Sequence, residues 1–315
     1  MSFSLAIALA WPETYCKKAG AWYDKPANFF GVAKDHYYKV GHSAVILIQP
    51  GTCKCLYFDF GRYHAPEGYG RVRDESTDHE LVINTRAEIT EYQKLNNFQQ
   101  IIDEVQSNKA CHGQGQLYAG FTRIDFKKAF KIAKDAQNQG IIHYGPFTPK
   151  GTNCSRFVRK VLFHATLSLL LKLRLTFPWT ISPTPIGIIR NLKIRKKANL
   201  EISNPEKQNN SISKFINSTL PQPKRPENIP ESAQWLAGEG AGSWFYIKNV
   251  SNENEFEIQR FSPDGFMECK GIFEARNKHS ILELNKSFKF VHLSHCAFMH
   301  IQQGNKIIKL IRKVS

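Results

Sequence analysis

Gly41-His-Ser-Ala-Val-Ile-Leu-Ile48 is a near-continuous apolar run of strand length that opens on a histidine. Gln49-Pro-Gly-Thr-Cys53 carries turn chemistry, and Cys55-Leu-Tyr-Phe-Asp-Phe60 reads as the returning strand. The spacing predicts an antiparallel hairpin. With Pro50-Gly51 as a tight loop, Gln49 faces Thr52 and His42 stands directly opposite Asp59, about 5 Å apart at Cβ. Pro-Gly suits a type II turn, which twists a tight hairpin the wrong way, so a longer, four-residue loop is the alternative. Any even loop keeps His42 and Asp59 on one face; an odd loop or a bulge separates them. A carboxylate on one imidazole nitrogen would fix the tautomer and leave the other nitrogen for a thiol.

A candidate thiol lies far downstream. Gly151-Thr-Asn-Cys154 opens a helical pattern, with Phe157, Val158, Val161, Leu162, Ala165 and Leu169 on one apolar face. Thr152 or Asn153 can cap that helix, because a side-chain oxygen accepts from the free first-turn N–H groups. At a helix N-terminus the positive end of the dipole favours thiolate over thiol. Cysteine is also among the commonest small buried residues, so the placement alone does not make Cys154 a nucleophile.

Together, Gly41-His42-Ser43-Ala44-Val45, Tyr57-Phe58-Asp59-Phe60-Gly61 and Thr152-Asn153-Cys154-Ser155 resemble the circularly permuted papain-like cysteine hydrolases. That group includes relatives of lecithin retinol acyltransferase, in which histidine precedes cysteine. The resemblance spans roughly residues 35 to 165. It implies Cys154 as nucleophile, His42 as base and Asp59 as the residue that orients the base. The third member varies in type within such families, and the insert before Cys154 is long, so no substrate cleft carries over.

At 315 residues the chain has room for about two domains. The expected fold class is α+β: a permuted papain-like N-terminal domain of antiparallel sheet and helices over 1–185, then a small all-β meander or half-barrel over 231–315. Between them, 186–230 is a basic, Pro- and Asn-rich linker. In the first domain, Met1 to Trp11 reads as a strand rather than a signal peptide, for lack of a basic start and a cleavage site. Glu91 to Ser107 and Asp125 to Gln139 read as amphipathic helices, and Ile141 to Tyr144 as a short strand. Val161 to Phe177 is the most hydrophobic stretch, but His164, Lys172 and Arg174 make it a buried helix, or one that touches a membrane surface, rather than a span. In the second domain strands are expected at 243–248, 255–261, 271–274, 281–284, 288–291 and 306–311.

The net charge of +16 is densest in the linker, with nine Lys and Arg against three Asp and Glu over 186–230. Such residues keep a linker solvated or give weak contact with anionic surfaces. No motif concentrates the charge into base readout, so specific nucleic-acid binding is not expected. Seven cysteines, an odd number at irregular spacing, argue against a disulfide scaffold and for a reducing, cytoplasmic location. No metal or cofactor is expected. Cys53 and Cys55 share a strand face, but no second ligand pair has zinc spacing. His292, Ser294, Cys296, Phe298 and His300 would share one face of a single strand, with His295 on the other, which holds the histidines too far apart to chelate. Arg71 and Arg73, in Gly68-Tyr-Gly-Arg-Val-Arg-Asp74, either meet an anionic substrate group or sit on a solvated loop. His143 is a second candidate base.

Two function classes follow. One is a thiol-dependent hydrolase or acyltransferase acting on an amide, peptide or other acyl bond. The other is a non-catalytic module whose basic linker and β domain bind an anionic or protein partner.

Overall fold

The computed structural model describes residues 3–17, 33–34, 37–90, 94–145, 147–177, 182–199, 219–250, 255–275 and 282–313. The chain divides into two compact units. The first comprises Met1–Gly61, Val72–Asp74 and Leu81–Asn217; the second comprises Arg62–Arg71, Glu75–Glu80 and Ser218–Ser315. The architecture is α+β, with two large antiparallel sheets and few helices.

In the first unit, strands β1 (Phe3–Trp11), β2 (Tyr15–Lys17), β3 (Ala33–Lys34), β4 (Tyr37–Lys39), β5 (His42–Ile48), β6 (Cys55–Gly61), the Val72–Arg73 end of β7 (Tyr69–Arg73), β8 (Tyr118–Asp125), β9 (Ile142–His143) and β10 (Ile194–Lys197) follow in chain order. The main sheet runs β10-β8-β1-β5-β6-β7-β9, and β2, β3 and β4 form a small separate one. Helices α1 (Phe98–Ser107), α2 (Phe126–Asn138), α3 (Cys154–Ala165), α4 (Leu169–Thr176) and α5 (Pro185–Arg190) complete the unit.

Why β5 is apolar at every other position on both faces follows from this layering. Val45 and Leu47 pack with Ala129 and Ala133 of α2 and with Phe157, Val158 and Val161 of α3. Ala44, Ile46 and Ile48 pack with Phe98, Ile101, Ile102 and Val105 of α1. A strand covered on both faces reads as a continuous apolar run, not an alternating one. His42 starts such a strand, so it begins at the sheet's end and is buried there.

The hydrophobic stretch 161–177 is two helices rather than one. Thr166 ends α3 in an extended conformation, and the Ser168 side chain accepts from Leu171 N–H to start α4. Leu169, Leu170 and Leu173 are exposed on α4. Among the described residues no helix is long and apolar enough to cross a membrane. Within the stretch read as linker, 186–199 carries most of α5 and the edge strand β10, which pairs with β8. The remainder of that stretch from 200 to 218 lies outside the described residues, as do 91–93 of the first expected helix.

The second unit is a β half-barrel of β11 (Gln234–Leu236), β12 (Ser243–Asn249), β13 (Glu255–Phe261), β14 (Met267–Ala275), β15 (Lys289–His295), β16 (Phe298–Gln303) and β17 (Lys306–Arg312). Its order is β11-β12-β13-β14-β17-β16-β15. Phe245, Phe256, Ile258, Phe273, Met299, Ile301 and Leu310 fill the interior. The Gln234 amide nearly closes the barrel, donating to Phe288 O and accepting from Phe290 N–H, both at 3.0 Å. Of the strand expected at 281–284, Ile281 lies outside the described residues and Leu282–Leu284 are not strand. The run 292–300 is a hairpin, not one strand: Cys296 and Ala297 turn between β15 and β16, and Val291 faces His300. The turn breaks the single face expected for its histidines.

Candidate active site

The β5–β6 hairpin has the longer loop. Gln49 N–H donates to Lys54 O at 2.8 Å, which leaves residues 50–53 as the turn. Cys53 sits there at φ 54, so it does not share a strand face with Cys55. Ala44, not His42, is therefore the residue opposite Asp59. His42 is two residues from Ala44 and so points to the same face, a diagonal neighbour within reach of a long side chain. His42 Nε2 donates to Asp59 Oδ2 at 3.2 Å.

Gly41 permits this placement. Its φ is +77, and a Cβ there would lie 2.8 Å from Trp11 O and 3.0 Å from Pro12 Cα. A side chain would strain the backbone and collide with main chain that cannot move aside. Trp11, paired with His42 across β1 and β5, stacks on the imidazole at 5.7 Å between centroids.

Asp59 is fully buried and is held by four donors. Arg73 Nε and Nη2 approach its two oxygens at 3.0 and 2.6 Å, and Tyr57 Oη and His42 Nε2 each reach Oδ2 at 3.2 Å. Burial would raise its pKa, but the Arg73 charge and then the His42 and Arg73 hydrogen bonds hold the carboxyl well below the usual range. Arg73 therefore meets no substrate and lies on no solvated loop: it is 1% exposed, and its charge is spent on Asp59. Arg71 is also buried, bonded by Nη1 and Nη2 to Asp78 at 2.7 and 2.6 Å within the second unit. A guanidinium can be buried only where carboxylates match it, and each arginine of this segment has one.

Cys154 is the first residue of α3, and Asn153 caps the helix by accepting from Arg156 N–H at 2.8 Å. The thiol is 5% exposed and lies 4.0 Å from Gly41 O and from Ser155 Oγ. It shares a hydrogen bond with His42. Burial alone would push the Cys154 pKa up; the His42 hydrogen bond and charge, with lesser help from Ser43 N–H and the Ser155 hydroxyl, bring it below 9.0. Burial likewise opposes charge on His42, but the Asp59 and Cys154 hydrogen bonds outweigh it and raise the imidazole to about 9. Ser43 Oγ and Ser155 Oγ, 3.1 Å apart, join β5 to α3 beneath the pair.

The imidazole that bonds the thiol is thus His42's. His143 is exposed on β9, and its backbone carbonyl accepts from Thr152 N–H at 3.0 Å. Sequence reasoning missed Arg73 as the partner of Asp59, although the period of two that places Arg71 and Arg73 on one strand face was there to be read. Trp11 and Tyr57 carried no such signal, since both are ordinary core residues by pattern.

A family model described as "Type VI secretion system effector TseH-like" matches residues 6–169, and a second, the DUF6695 C-terminal domain, matches 233–313. The chain belongs to the TseH-like effector family. A solved structure titled as the type VI secretion system effector TseH is 17% identical, covering 51% of this chain and 75% of its own, at a TM-score of 0.32. No curated protein matches the chain.

Proposed function

We propose that this protein is a thiol-dependent hydrolase or acyltransferase that acts on an amide, peptide or other acyl bond through Cys154, His42 and Asp59, on a permuted papain-like domain. The observation that carries this reading is one imidazole hydrogen-bonded both to a buried thiol and to a buried, arginine-held carboxylate. The Cys154 thiolate attacks the carbonyl carbon, and the oxygen becomes an oxyanion facing the first N–H groups of α3, which a helix leaves without internal partners. Protonated His42 gives its proton to the leaving group as the C–N or C–O bond breaks, leaving a thioester on Cys154. His42 then takes a proton from water or from an acceptor nucleophile, whose attack on the thioester releases the thiolate. Asp59 stays ionised throughout, because Arg73 holds it so, and orients the imidazole.

The family description supports a role as an effector delivered by a type VI secretion system. Seven cysteines, an odd number at irregular spacing, support work in a reducing compartment such as the cytoplasm. In this reading residues 1–185 carry the chemistry, 186–199 add most of α5 and the edge strand β10 to the same unit, and 231–315 form a β domain of other purpose.

A chromogenic acyl ester tests the chemistry without knowledge of the natural substrate. The full chain is expected to release a burst of about one equivalent of leaving group and to carry the acyl group on Cys154 by peptide mapping. Cys154→Ser should abolish the burst, and His42→Ala should slow it. A burst that survives in Cys154→Ser, or acyl groups spread over surface lysines, would sink the assignment.

A further inference from the structure

The β unit brings together three soft donors that the reaction does not use. An imidazole nitrogen of His79, Sγ of Cys269 on β14 and Sγ of Cys296 in the β15–β16 turn all lie within 4.8 Å of one another. Both sulfurs are buried and the histidine is half-buried. The arrangement is held by the backbone: Cys296 N–H donates to Thr77 O at 3.0 Å, which ties the segment carrying His79 to the hairpin. Packing accounts for a buried cysteine, but it does not require two thiols and an imidazole to converge on one point.

We propose that His79, Cys269 and Cys296 form a binding site for a thiophilic divalent cation of the zinc class. Thiolate and imidazole select such ions over hard cations, which want oxygen ligands. Bonds of 2.0–2.3 Å at tetrahedral angles set ligand atoms about 3.5–3.8 Å apart, so closing the triad takes side-chain movements of about 1 Å.

The surroundings suit this charge. Arg260 is matched by Asp78, Glu80 and Glu268, so its guanidinium is not an unbalanced cation facing the ion. Arg312 Nη1 lies 3.8 Å from Cys269 Sγ and 3.5 Å from Cys296 O, placed as an outer donor to a metal-bound thiolate. Binding of the ion displaces the thiol protons to solvent.

Cobalt(II) titration of the reduced, chelator-treated full chain tests the site. The expected result is one equivalent bound, with a thiolate-to-cobalt charge-transfer band and the intense visible bands of tetrahedral Co(II), displaced by zinc. Cys269→Ser and Cys296→Ser should each remove the charge-transfer intensity in part or whole. His79→Ala, at a half-exposed position where folding is not at issue, should weaken binding at least about tenfold. Absence of saturable binding, a spectrum unchanged in folded Cys269→Ser, or a Cys269–Cys296 disulfide in protein that takes up no cobalt after reduction would each overturn the proposal.

Discussion

Arg73→Met is expected to lower the stability of the first unit by about 3–5 kcal/mol, the usual cost of removing one partner from a buried ion pair. The cost arises because Asp59, with no solvent exposure, loses the guanidinium that contacts both of its oxygens. The two hydrogen bonds left to it, from Tyr57 and His42, do not replace a full positive charge. Against a typical domain stability of about 5–15 kcal/mol this is a large fraction. A urea titration followed by near-ultraviolet circular dichroism should show the midpoint falling by about 1 M or more. Adding Asp59→Asn to Arg73→Met should recover part of the loss, since the stranded charge is then gone. A loss below about 1 kcal/mol would mean that water reaches Asp59. The wild-type protein carries the matching acid sensitivity. Because the folded Asp59 pKa is held below its ordinary 3.8, the stability it contributes is present above that pH and is lost as pH falls further.

His42→Ala is expected to slow alkylation of Cys154 at neutral pH by at least about tenfold, because each unit of rise in thiol pKa removes about nine-tenths of the thiolate. Without the imidazole's hydrogen bond and charge, burial pushes the Cys154 thiol up, against only the Ser43 N–H and the Ser155 hydroxyl. Peptide mapping after a short exposure to iodoacetamide reads the rate site by site. Cys55 and Cys111 give little background, since burial pushes each thiol up to about 12. Asp59→Asn should have a smaller effect than His42→Ala, as it alters orientation and leaves the base in place. Equal rates for Cys154 in wild type and His42→Ala would return the chain to the binding-module reading.

What the sequence disclosed, and what it did not, divides along physical lines. A run such as 42–48 declares a strand buried on both faces because its apolar character is continuous, and Asn153-Cys154 declares a helix start because the cap chemistry is local. Register is subtler. The same turn residues fit a loop of two or of four, and only the fold chooses, but the parity of two kept His42 and Asp59 on one face in either case. Arg73 was misread because an arginine in a segment that opens on two glycines looks exposed, whereas its burial depends on a carboxylate from a neighbouring strand. The break at Thr166 was hidden within a stretch whose leucines continue on both sides of it. The grouping of His79, Cys269 and Cys296 depends on positions far apart in the chain, which no spacing rule could have joined.

The central claim is that Cys154 and His42 form a thiolate–imidazolium pair. The ultraviolet absorbance of the thiolate, titrated in wild type with the curve of Cys154→Ser subtracted from it, measures it most directly. The account predicts that Cys154 is already ionised below its ordinary 9.0, with His42 keeping its proton until about pH 9. A Cys154 that ionises only at 9.0 or above, with the same curve in His42→Ala, would contradict it.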